Sequence, residues 1–175
     1  MPSPADKLLQ TERFSVETVT RASRDGQLLQ RAVIRHPGAV TIVPILEDGR
    51  VCLIRNFRVA VGQPLVELPA GTLEPGEQPQ RAAERELIEE TGFRAERIVH
   101  LHSFFMSPGI LDERMHLFLA EKLTSVGTMR EPTEEIENLI VRWEQAHEMI
   151  RSGEIQDAKT LVGLLLYEQR LRTTT

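Results

Sequence analysis

Residues 71–93, GTLEPGEQPQRAAERELIEETGF, constrain the fold of this chain more than any other stretch. The first seven of them are rich in glycine and proline, which predicts a loop. Pro79 suits the first turn of a helix, where its missing N–H group is not needed. The residues that follow are mostly strong helix formers, and Gly92 suits the left-handed position that ends a helix. We therefore predict a loop, a helix over residues 79–91 and a sharp stop.

Three glutamates of this helix, Glu86, Glu89 and Glu90, share one narrow face, since each residue turns the helix by about 100°. Carboxylates at this spacing repel one another and weaken an isolated helix. A divalent cation such as Mg²⁺ removes the repulsion, because it binds carboxylate oxygens and keeps positions open for water and phosphate. The face is therefore predicted to bind metal. Without its context, such a cluster is more often a solvated acidic surface.

The spacing around the three glutamates favours the metal site. The stretch has a fixed order of residue types. It begins with a glycine, five residues of any type, a glutamate and seven residues of any type. It continues with Arg-Glu, an aliphatic residue, any residue, Glu-Glu, any residue, a glycine and an apolar residue. This order resembles the Nudix box of the Nudix hydrolases at every specified position. The matching residues are Gly71, Glu77, Arg85, Glu86, Leu87, Glu89, Glu90, Gly92 and Phe93. Nine specified positions over 23 residues are a far more specific signal than a lone short motif.

The rest of the pattern predicts an α+β domain. Runs of β-branched and apolar residues predict strands, and turn signals at residues 23–26 and 47–50 predict two hairpins. The pattern alone leaves the topology open. The resemblance implies the Nudix fold, an α/β/α sandwich with a mixed sheet, preceded by an N-terminal β-hairpin. We therefore expect an N-terminal hairpin extension over residues 1–38 and a Nudix hydrolase domain over residues 39–175.

Four segments and one helix cap have more specific predictions. Residues 1–12 are expected to form a mobile or weakly helical lead-in, and residues 124–137 a polar, acidic loop. Residues 139–143 are predicted to be the last strand. Asp157 is predicted to cap a final helix over residues 158–171.

The resemblance also implies how the box binds metal. Glu86 and Glu90 are the main ligands, and Glu89 shares or bridges a second ion. The backbone carbonyl of Ala70, directly before the box, is a further ligand in similar relatives. Mg²⁺ is the expected ion, with Mn²⁺ and Zn²⁺ as alternatives. The structural residues of the box are Gly71, Glu77, Arg85 and Gly92, and the arginine is expected to brace the loop against the helix.

A general base is also required, and the box does not supply an obvious one. In relatives of the ADP-ribose pyrophosphatase type the base comes from an acidic loop far downstream, in an E-x-aliphatic-E context. Residues 133–137, TEEIE, occupy that place here. Glu134 is therefore the first candidate and Glu137 the second, with Glu89 as a further catalytic candidate. The alternative is that these acidic residues are simply solvated.

Residues outside the box indicate the substrate class. Pro108 lies sixteen residues after Gly92, in a Ser-Pro-Gly sequence, and this placement resembles the ADP-ribose pyrophosphatase subfamily. Residues 36–40, 55–58 and 67–71 resemble it as well, although the usual Arg-Gln-Tyr-Arg is Arg-Asn-Phe-Arg here. The candidate substrate-binding residues are Arg35, Arg58, Glu67, Leu73, Pro108, Gly109 and Glu113.

Some of these candidates have a definite chemistry. Arg58 is expected to clamp a diphosphate, because a guanidinium makes bidentate, always-charged contacts to phosphate oxygens. Otherwise it is a surface arginine at the end of a strand. Glu67 is expected to accept a hydrogen bond from an adenine or ribose group, or else to pair with a nearby arginine. Glu113 contacts a terminal ribose or is exposed, and Phe14 and Phe57 are candidates for stacking on a base.

The expected function is Mg²⁺-dependent hydrolysis of ADP-ribose to AMP and ribose 5-phosphate, by in-line attack of water on one phosphorus. Hydrolysis of another nucleoside diphosphate sugar, such as GDP-mannose, is the alternative within the enzyme class. A catalytically silent nucleotide-sensing module is the alternative outside it, and the intact acidic face argues against that alternative. Removal of oxidised dNTPs is disfavoured by the Ser-Pro-Gly sequence. In similar relatives the N-terminal hairpin packs on a second subunit, which implies a homodimer.

Composition limits the partners and the location. A net charge of −5 argues against a protein that coats nucleic acid, although it allows a phosphate substrate beside bound metal. The N-terminal residues lack the apolar region of a signal peptide, and no apolar run approaches membrane-spanning length. Cys52 is the single cysteine, so no internal disulfide forms. We therefore expect no membrane partner and a cytoplasmic location.

Overall fold

The computed structural model describes residues 6–127 and 136–174 of the chain. The strands of this part are β1 (Asp6–Gln10), β2 (Ser15–Ala22), β3 (Leu28–Arg35), β4 (Ala39–Pro44), β5 (Val51–Arg58), β6 (Gln63–Glu67), β7 (Ala70–Thr72), β8 (Phe93–Phe105), β9 (Arg114–Ser125) and β10 (Ile136–Val141). The helices are α1 (Pro79–Glu86), a π-helical turn (Leu87–Thr91), α2 (Trp143–Arg151) and α3 (Ala158–Thr174). No helix among the described residues is both long and apolar enough to cross a membrane.

The strands form three sheets. The first has the order β1-β2-β3, the second β10-β5-β6 and the third β7-β4-β9-β8. In the third sheet β4 and β9 are parallel, whereas β4 pairs antiparallel with β7 and β9 pairs antiparallel with β8. The predicted mixed sheet is therefore confirmed, and the short strand β7 leads directly into the loop and helix of the box.

Alternate residues of β4 and β9 face two separate hydrophobic cores. Val43 of β4 packs in a core with Leu164 of α3 and residues of α2. Its neighbour Ile42 packs in the other core, with Leu87 of the π-helical turn. Successive side chains of a strand point to opposite faces, so the sheet is covered by helices on both sides. This arrangement confirms the α/β/α sandwich.

The N-terminal sheet contains the predicted hairpin and one additional strand. β2 and β3 pair antiparallel from Ser15 opposite Arg35 to Ala22 opposite Leu28. The expectation of a mobile or weakly helical lead-in is wrong for Asp6–Gln10, which forms β1 and pairs with β2. Without β1, the second strand would expose a row of unpaired backbone N–H and C=O groups. The extra strand satisfies those groups, although its own side chains are exposed.

The box helix is shorter than predicted. It is α-helical from Pro79 only to Glu86, and Leu87–Thr91 form the π-helical turn. Such turns insert one extra residue into a helix and are frequent at functional sites. Gly92 ends the helix as predicted, in the left-handed conformation with φ of 73°. The predicted loop at its other side is a loop only after Thr72, because the residues before belong to β7.

The C-terminal part differs from the prediction at one strand. The last strand is Ile136–Val141, so it begins inside the expected acidic loop and ends before Trp143. Trp143 instead begins α2 and packs edge-on against Tyr167 of α3, with ring centroids 5.1 Å apart. The predicted cap of α3 is confirmed, since Asp157 Oδ2 accepts the backbone N–H of Thr160 at 2.9 Å.

Gly163→Ala tests how closely α3 packs on the sheet. A Cβ at this position would lie 2.5 Å from Cδ1 of Leu68 and 3.2 Å from Cδ1 of Leu117, and both leucines are fully buried. In an exposed helix the same change would stabilise by about 1 kcal/mol. Here we expect the free energy of unfolding to fall by about 1–3 kcal/mol, because the core is overpacked.

Equilibrium urea denaturation measures this change. Leu165→Ala, at a half-exposed position two residues further along α3, is the control and should alter the free energy of unfolding by less than about 0.5 kcal/mol. A stabilised Gly163→Ala protein would contradict the close packing.

Candidate active site

The acidic face predicted from the sequence lies where α1 becomes the π-helical turn. Glu86 is the last residue of α1, and Glu89 and Glu90 belong to the turn. Glu86 and Glu90 are buried, whereas Glu89 is partly exposed. Oε2 of Glu90 accepts the backbone N–H of Ala70 at 2.8 Å, so the end of the helix is fastened to β7. Two of the three carboxylates are therefore held inside the protein rather than dispersed in solvent.

Gly71 explains how the Glu86 carboxylate reaches this position. An added Cβ at Gly71 would lie 1.8 Å from Oε1 and 1.9 Å from Cδ of Glu86. No real Cβ tolerates such a distance, so the carboxylate occupies space that every other residue at position 71 would fill. The first glycine of the box is thus required by the close approach of a side chain and not by a turn.

Arg85 binds three carboxylates at once. Its Nε and Nη2 donate to the two oxygens of Glu77 at 3.0 and 2.9 Å. Its Nη1 donates to Glu86 at 2.7 Å and to Glu89 at 2.9 Å. These hydrogen bonds, first of all those to Glu77, raise the pKa of Arg85 far above its usual range, and the same contact lowers the pKa of Glu77. Arg85 therefore joins the box loop to the helix and balances part of the acidic charge.

The donor set of this face fits a divalent cation. Its carboxylates and the nearby backbone carbonyl of Ala70 are oxygen ligands, which hard cations prefer. Buried carboxylates also need a compensating positive charge, and Glu86 and Glu90 are buried side by side. Among the residues that the structure describes, no three acidic, histidine or cysteine side chains are already arranged around a common metal position. Instead, Nη1 of Arg85 lies between Glu86 and Glu89.

A second buried acid, Glu67, lies at the end of β6. Its side chain is only 1% exposed and accepts Nε and Nη2 of Arg58 at 2.8 and 2.5 Å. Nζ of Lys159, at the start of α3, donates to the same carboxylate at 2.6 Å. Of the two expectations for Glu67, the structure shows the pairing with an arginine, and a substrate contact stays a prediction. The sequence does not predict the role of Lys159, because nothing local links it to a residue 92 positions away.

Arg58 lies within the electrostatic field of the acidic face. The hydrogen bond to Glu67 is the main cause that raises the pKa of Arg58, and the charges of Glu90 and Asp157 add to it. The guanidinium is therefore held against Glu67 of β6 and near Glu90 of the π-helical turn, and the sequence predicts that it clamps a diphosphate. That role stays a prediction.

A groove of about 440 Å³ separates the N-terminal sheet from the box loop. Phe14 and Arg35 line one side of it, and Leu73 lines the other. Arg35 also pairs with Glu17 at 3.1 Å and with Asp112 at 3.0 Å, which fastens the segment between β8 and β9 to β3. The structure thus places two of the candidate substrate-binding residues, Arg35 and Leu73, in one groove beside the box.

The remaining candidates of that group lie between β8 and β9. Pro108 and Gly109 form an exposed tight turn, in which the N–H of Ile110 donates to the carbonyl of Ser107 at 3.0 Å. Glu113 is partly buried, and its Oε1 lies 4.0 Å from Nδ1 of His36. Their contact with a substrate stays a prediction.

The candidate bases differ in what the structure describes. Glu134 lies outside the described residues. Glu137 belongs to β10 and lies opposite Arg55 of β5, which in turn pairs with Glu154 at 3.4 Å. The next residue, Asn138, donates from Nδ2 to the carbonyl of Thr91 in the π-helical turn at 2.7 Å. Because successive strand residues point to opposite faces, Glu137 projects away from the π-helical turn.

Comparisons with known proteins find a family and several relatives that match most of the chain. Residues 35–162 match the family model of the NUDIX domain. The chain is 39% identical over 142 residues to an ADP-ribose pyrophosphatase of Bacillus subtilis (strain 168), across 80% of this chain and 77% of the relative. It is 36% identical over 180 residues to a GDP-mannose pyrophosphatase of Enterobacter sp. (strain 638), across 94% and 92%. A crystal structure of an ADP compounds hydrolase has the same fold, with a TM-score of 0.84, 24% identity and coverage of 99% and 95%.

Gly71→Ala tests the close approach of the acidic face to β7. The added Cβ has to displace the Glu86 carboxylate, which is the flexible end of a side chain, so the fold should survive. We expect Mn²⁺ binding, measured by isothermal titration calorimetry, to weaken by about tenfold to a hundredfold. The melting temperature should change little.

Thr72→Ala, at the next and exposed position of β7, is the control and should bind Mn²⁺ as the unaltered protein does. Equal Mn²⁺ affinities for Gly71→Ala and the unaltered protein would rule out Glu86 as a ligand placed through Gly71.

Proposed function

The chain belongs to the NUDIX domain family, and from this premise we propose that it hydrolyses ADP-ribose to AMP and ribose 5-phosphate with the help of Mg²⁺. The observation that carries the proposal is the pair of buried carboxylates, Glu86 and Glu90, held against β7 beside Arg58. ADP-ribose is favoured as the substrate by the similarity to an ADP-ribose pyrophosphatase and by the position of Pro108.

Different residues of the chain have different roles in the proposed reaction. Glu86 and Glu90, with Glu89 and the carbonyl of Ala70, would hold the divalent cation. When bound, the cation neutralises phosphate oxygens and acidifies a water molecule. Arg58 holds the diphosphate through its guanidinium, which remains charged at every physiological pH. The pyrophosphate bond breaks as the water oxygen bonds to one phosphorus and the bridging oxygen leaves with the other.

The proton of the attacking water requires an acceptor. We assign this role to Glu134, because Glu137, the second candidate, projects from the face of β10 that points away from the π-helical turn. The groove between the N-terminal sheet and the box loop would receive the nucleoside, with the ring of Phe14 available for stacking on the base. A cytoplasmic location of the enzyme stays a prediction.

Product analysis on a substrate panel tests the proposal. The panel contains ADP-ribose, GDP-mannose, UDP-glucose and a dNTP, each with Mg²⁺, and the products are separated by liquid chromatography. We expect AMP and ribose 5-phosphate from ADP-ribose to dominate. Glu90→Gln should lose several orders of magnitude in kcat, since it removes a metal ligand. Glu84→Gln is the matched control, because Glu84 precedes Glu86 on the same helix and pairs there with Gln80 and Arg81.

The other outcomes are equally informative. A preference for GDP-mannose would change the proposed substrate but not the proposed reaction, and the similarity to a GDP-mannose pyrophosphatase allows this outcome. Nucleotide binding without any product would identify a sensing module and reject the enzyme.

We further propose that the N-terminal extension, residues 1–38, packs on a second copy of the chain, while residues 39–175 form the hydrolase domain. Several large apolar side chains of the N-terminal sheet face solvent, with Leu28 74% exposed and Leu8 61% exposed. Exposed apolar groups gathered on one element are typical of an interface.

Light scattering coupled to size-exclusion chromatography tests the homodimer. We expect twice the mass of the chain for the unaltered protein and a shift to monomer for the double variant Leu8→Glu, Leu28→Glu, since two charges would be buried in the interface. Leu165→Glu, at a half-exposed position of α3, is the control. A monomeric unaltered protein would reject the proposal.

A further inference from the structure

Lys159 connects the start of α3 to the residues that we assign to substrate binding, and none of the motifs of the sequence includes it. We propose that Lys159 is a positioning residue, which neutralises the buried carboxylate of Glu67 so that the charge of Arg58 remains available to the diphosphate. The inference rests on the proposed function, because it assumes that Arg58 contacts the substrate.

The position of Lys159 is fixed by contacts on both sides. Its side chain is 9% exposed, and Nζ lies 2.6 Å from Glu67 and 3.0 Å from Asp157. The next residue, Thr160, accepts the backbone N–H of Leu68 with Oγ1 at 2.8 Å and donates to Asp157 at 2.6 Å. Two adjacent residues of α3 are therefore bound to two adjacent residues at the end of β6. This leaves the ammonium group little freedom to point elsewhere.

The charges around Glu67 explain why a second cation is needed there. Glu67 is fully buried, and an ionised carboxylate in such a place requires compensation. Arg58 and Lys159 both supply it, and with Asp157, which contacts Lys159, the four side chains carry a formal charge of about zero at neutral pH. Without Lys159 that sum is about −1, and Arg58 has to compensate Glu67 alone. The charge that Arg58 presents to a phosphate group would then be cancelled by its own partner.

The geometry of Arg58 leaves one side of its guanidinium for a ligand. Nε and Nη2 donate to the two oxygens of Glu67, which fixes the plane of the group. Nη1 donates to no protein atom among the described residues, and the side chain is 38% exposed. A guanidinium fixed along one edge offers its remaining N–H groups in a defined direction, which suits a phosphate oxygen. Lys159 therefore acts on the substrate through Glu67 and Arg58, without touching it.

Steady-state kinetics with ADP-ribose test this role. Lys159→Met keeps the length of the side chain and removes its charge. We expect the KM to rise by about tenfold while kcat changes by less than about threefold, because the lost attraction acts on bound substrate and transition state alike. Lys159→Arg keeps the charge and should hold the KM near that of the unaltered enzyme. Lys122→Met removes a lysine from an exposed ion pair with Glu96 and is the matched control.

A charge-balanced variant separates this role from a purely structural one. In the double variant Glu67→Gln, Lys159→Met, Arg58 no longer has a carboxylate to compensate, so the KM should be lower than in Lys159→Met. A lysine that only stabilises the fold would give a double variant at least as impaired as the single one. That result would overturn the proposal.

The variant Glu67→Gln allows a second test, which does not require the single variant Lys159→Met to fold. In the Glu67→Gln background Lys159 has no Glu67 carboxylate to neutralise, so adding Lys159→Met should change the KM by less than about twofold. A tenfold rise in the KM there would show that Lys159 acts on the substrate without Glu67, and it would overturn the proposal. If the unaltered protein hydrolyses no nucleoside diphosphate sugar, the proposed function and this inference fail together. If it is active and Lys159→Met is folded with an unchanged KM, only this inference fails.

Discussion

The burial of carboxylates is the constraint on which this structure depends. Glu67, Glu86 and Glu90 are all buried, although an unpaired buried charge is among the most destabilising features a protein can contain. Each acid is compensated by a different kind of contact. Glu90 accepts a backbone N–H, Glu86 receives the guanidinium of Arg85, and Glu67 is enclosed by an arginine and a lysine. The fold therefore keeps three acids in place that would otherwise move into solvent.

The groups that hold these acids in place come from elements that are distant in the sequence. β7 supplies the N–H group for Glu90 and the missing Cβ at Gly71, while α3 supplies Lys159. The sheet that carries helices on both faces makes this convergence possible, because α1 and α3 pack on opposite sides of β4 and β9. Glu67, at the end of β6, is contacted by Arg58 of β5 and by Lys159 of α3. The two cores that stabilise the fold thus also place the site.

The sequence predicts those parts of the site that are local. The spacing from Gly71 to Gly92 places the acidic face and the end of the helix, because a helix converts spacing directly into direction. The sequence pattern does not predict the change to a π-helical turn at Leu87, and Glu90 of this turn has its partner in another element, β7. The strand β1 is missed for a similar reason. Its residues are all exposed, so no periodic burial pattern marks it, and only its pairing with β2 defines it. Lys159 is missed because its partner lies in another element.

The difference between features encoded in one stretch and features formed by distant elements also affects which substrate is recognised. The acidic face is encoded within one short stretch, and the chain shares comparable identity with an ADP-ribose pyrophosphatase and a GDP-mannose pyrophosphatase. In the proposed function the face therefore serves to break a pyrophosphate bond but does not discriminate between nucleosides. The groove that we assign to the nucleoside has one wall from the box loop and another from residues near Phe14. The part of that second wall between Gln10 and Ser15 precedes residue 35, where the match to the family begins. We therefore expect selectivity to change with the N-terminal sheet while the chemistry of the box stays the same.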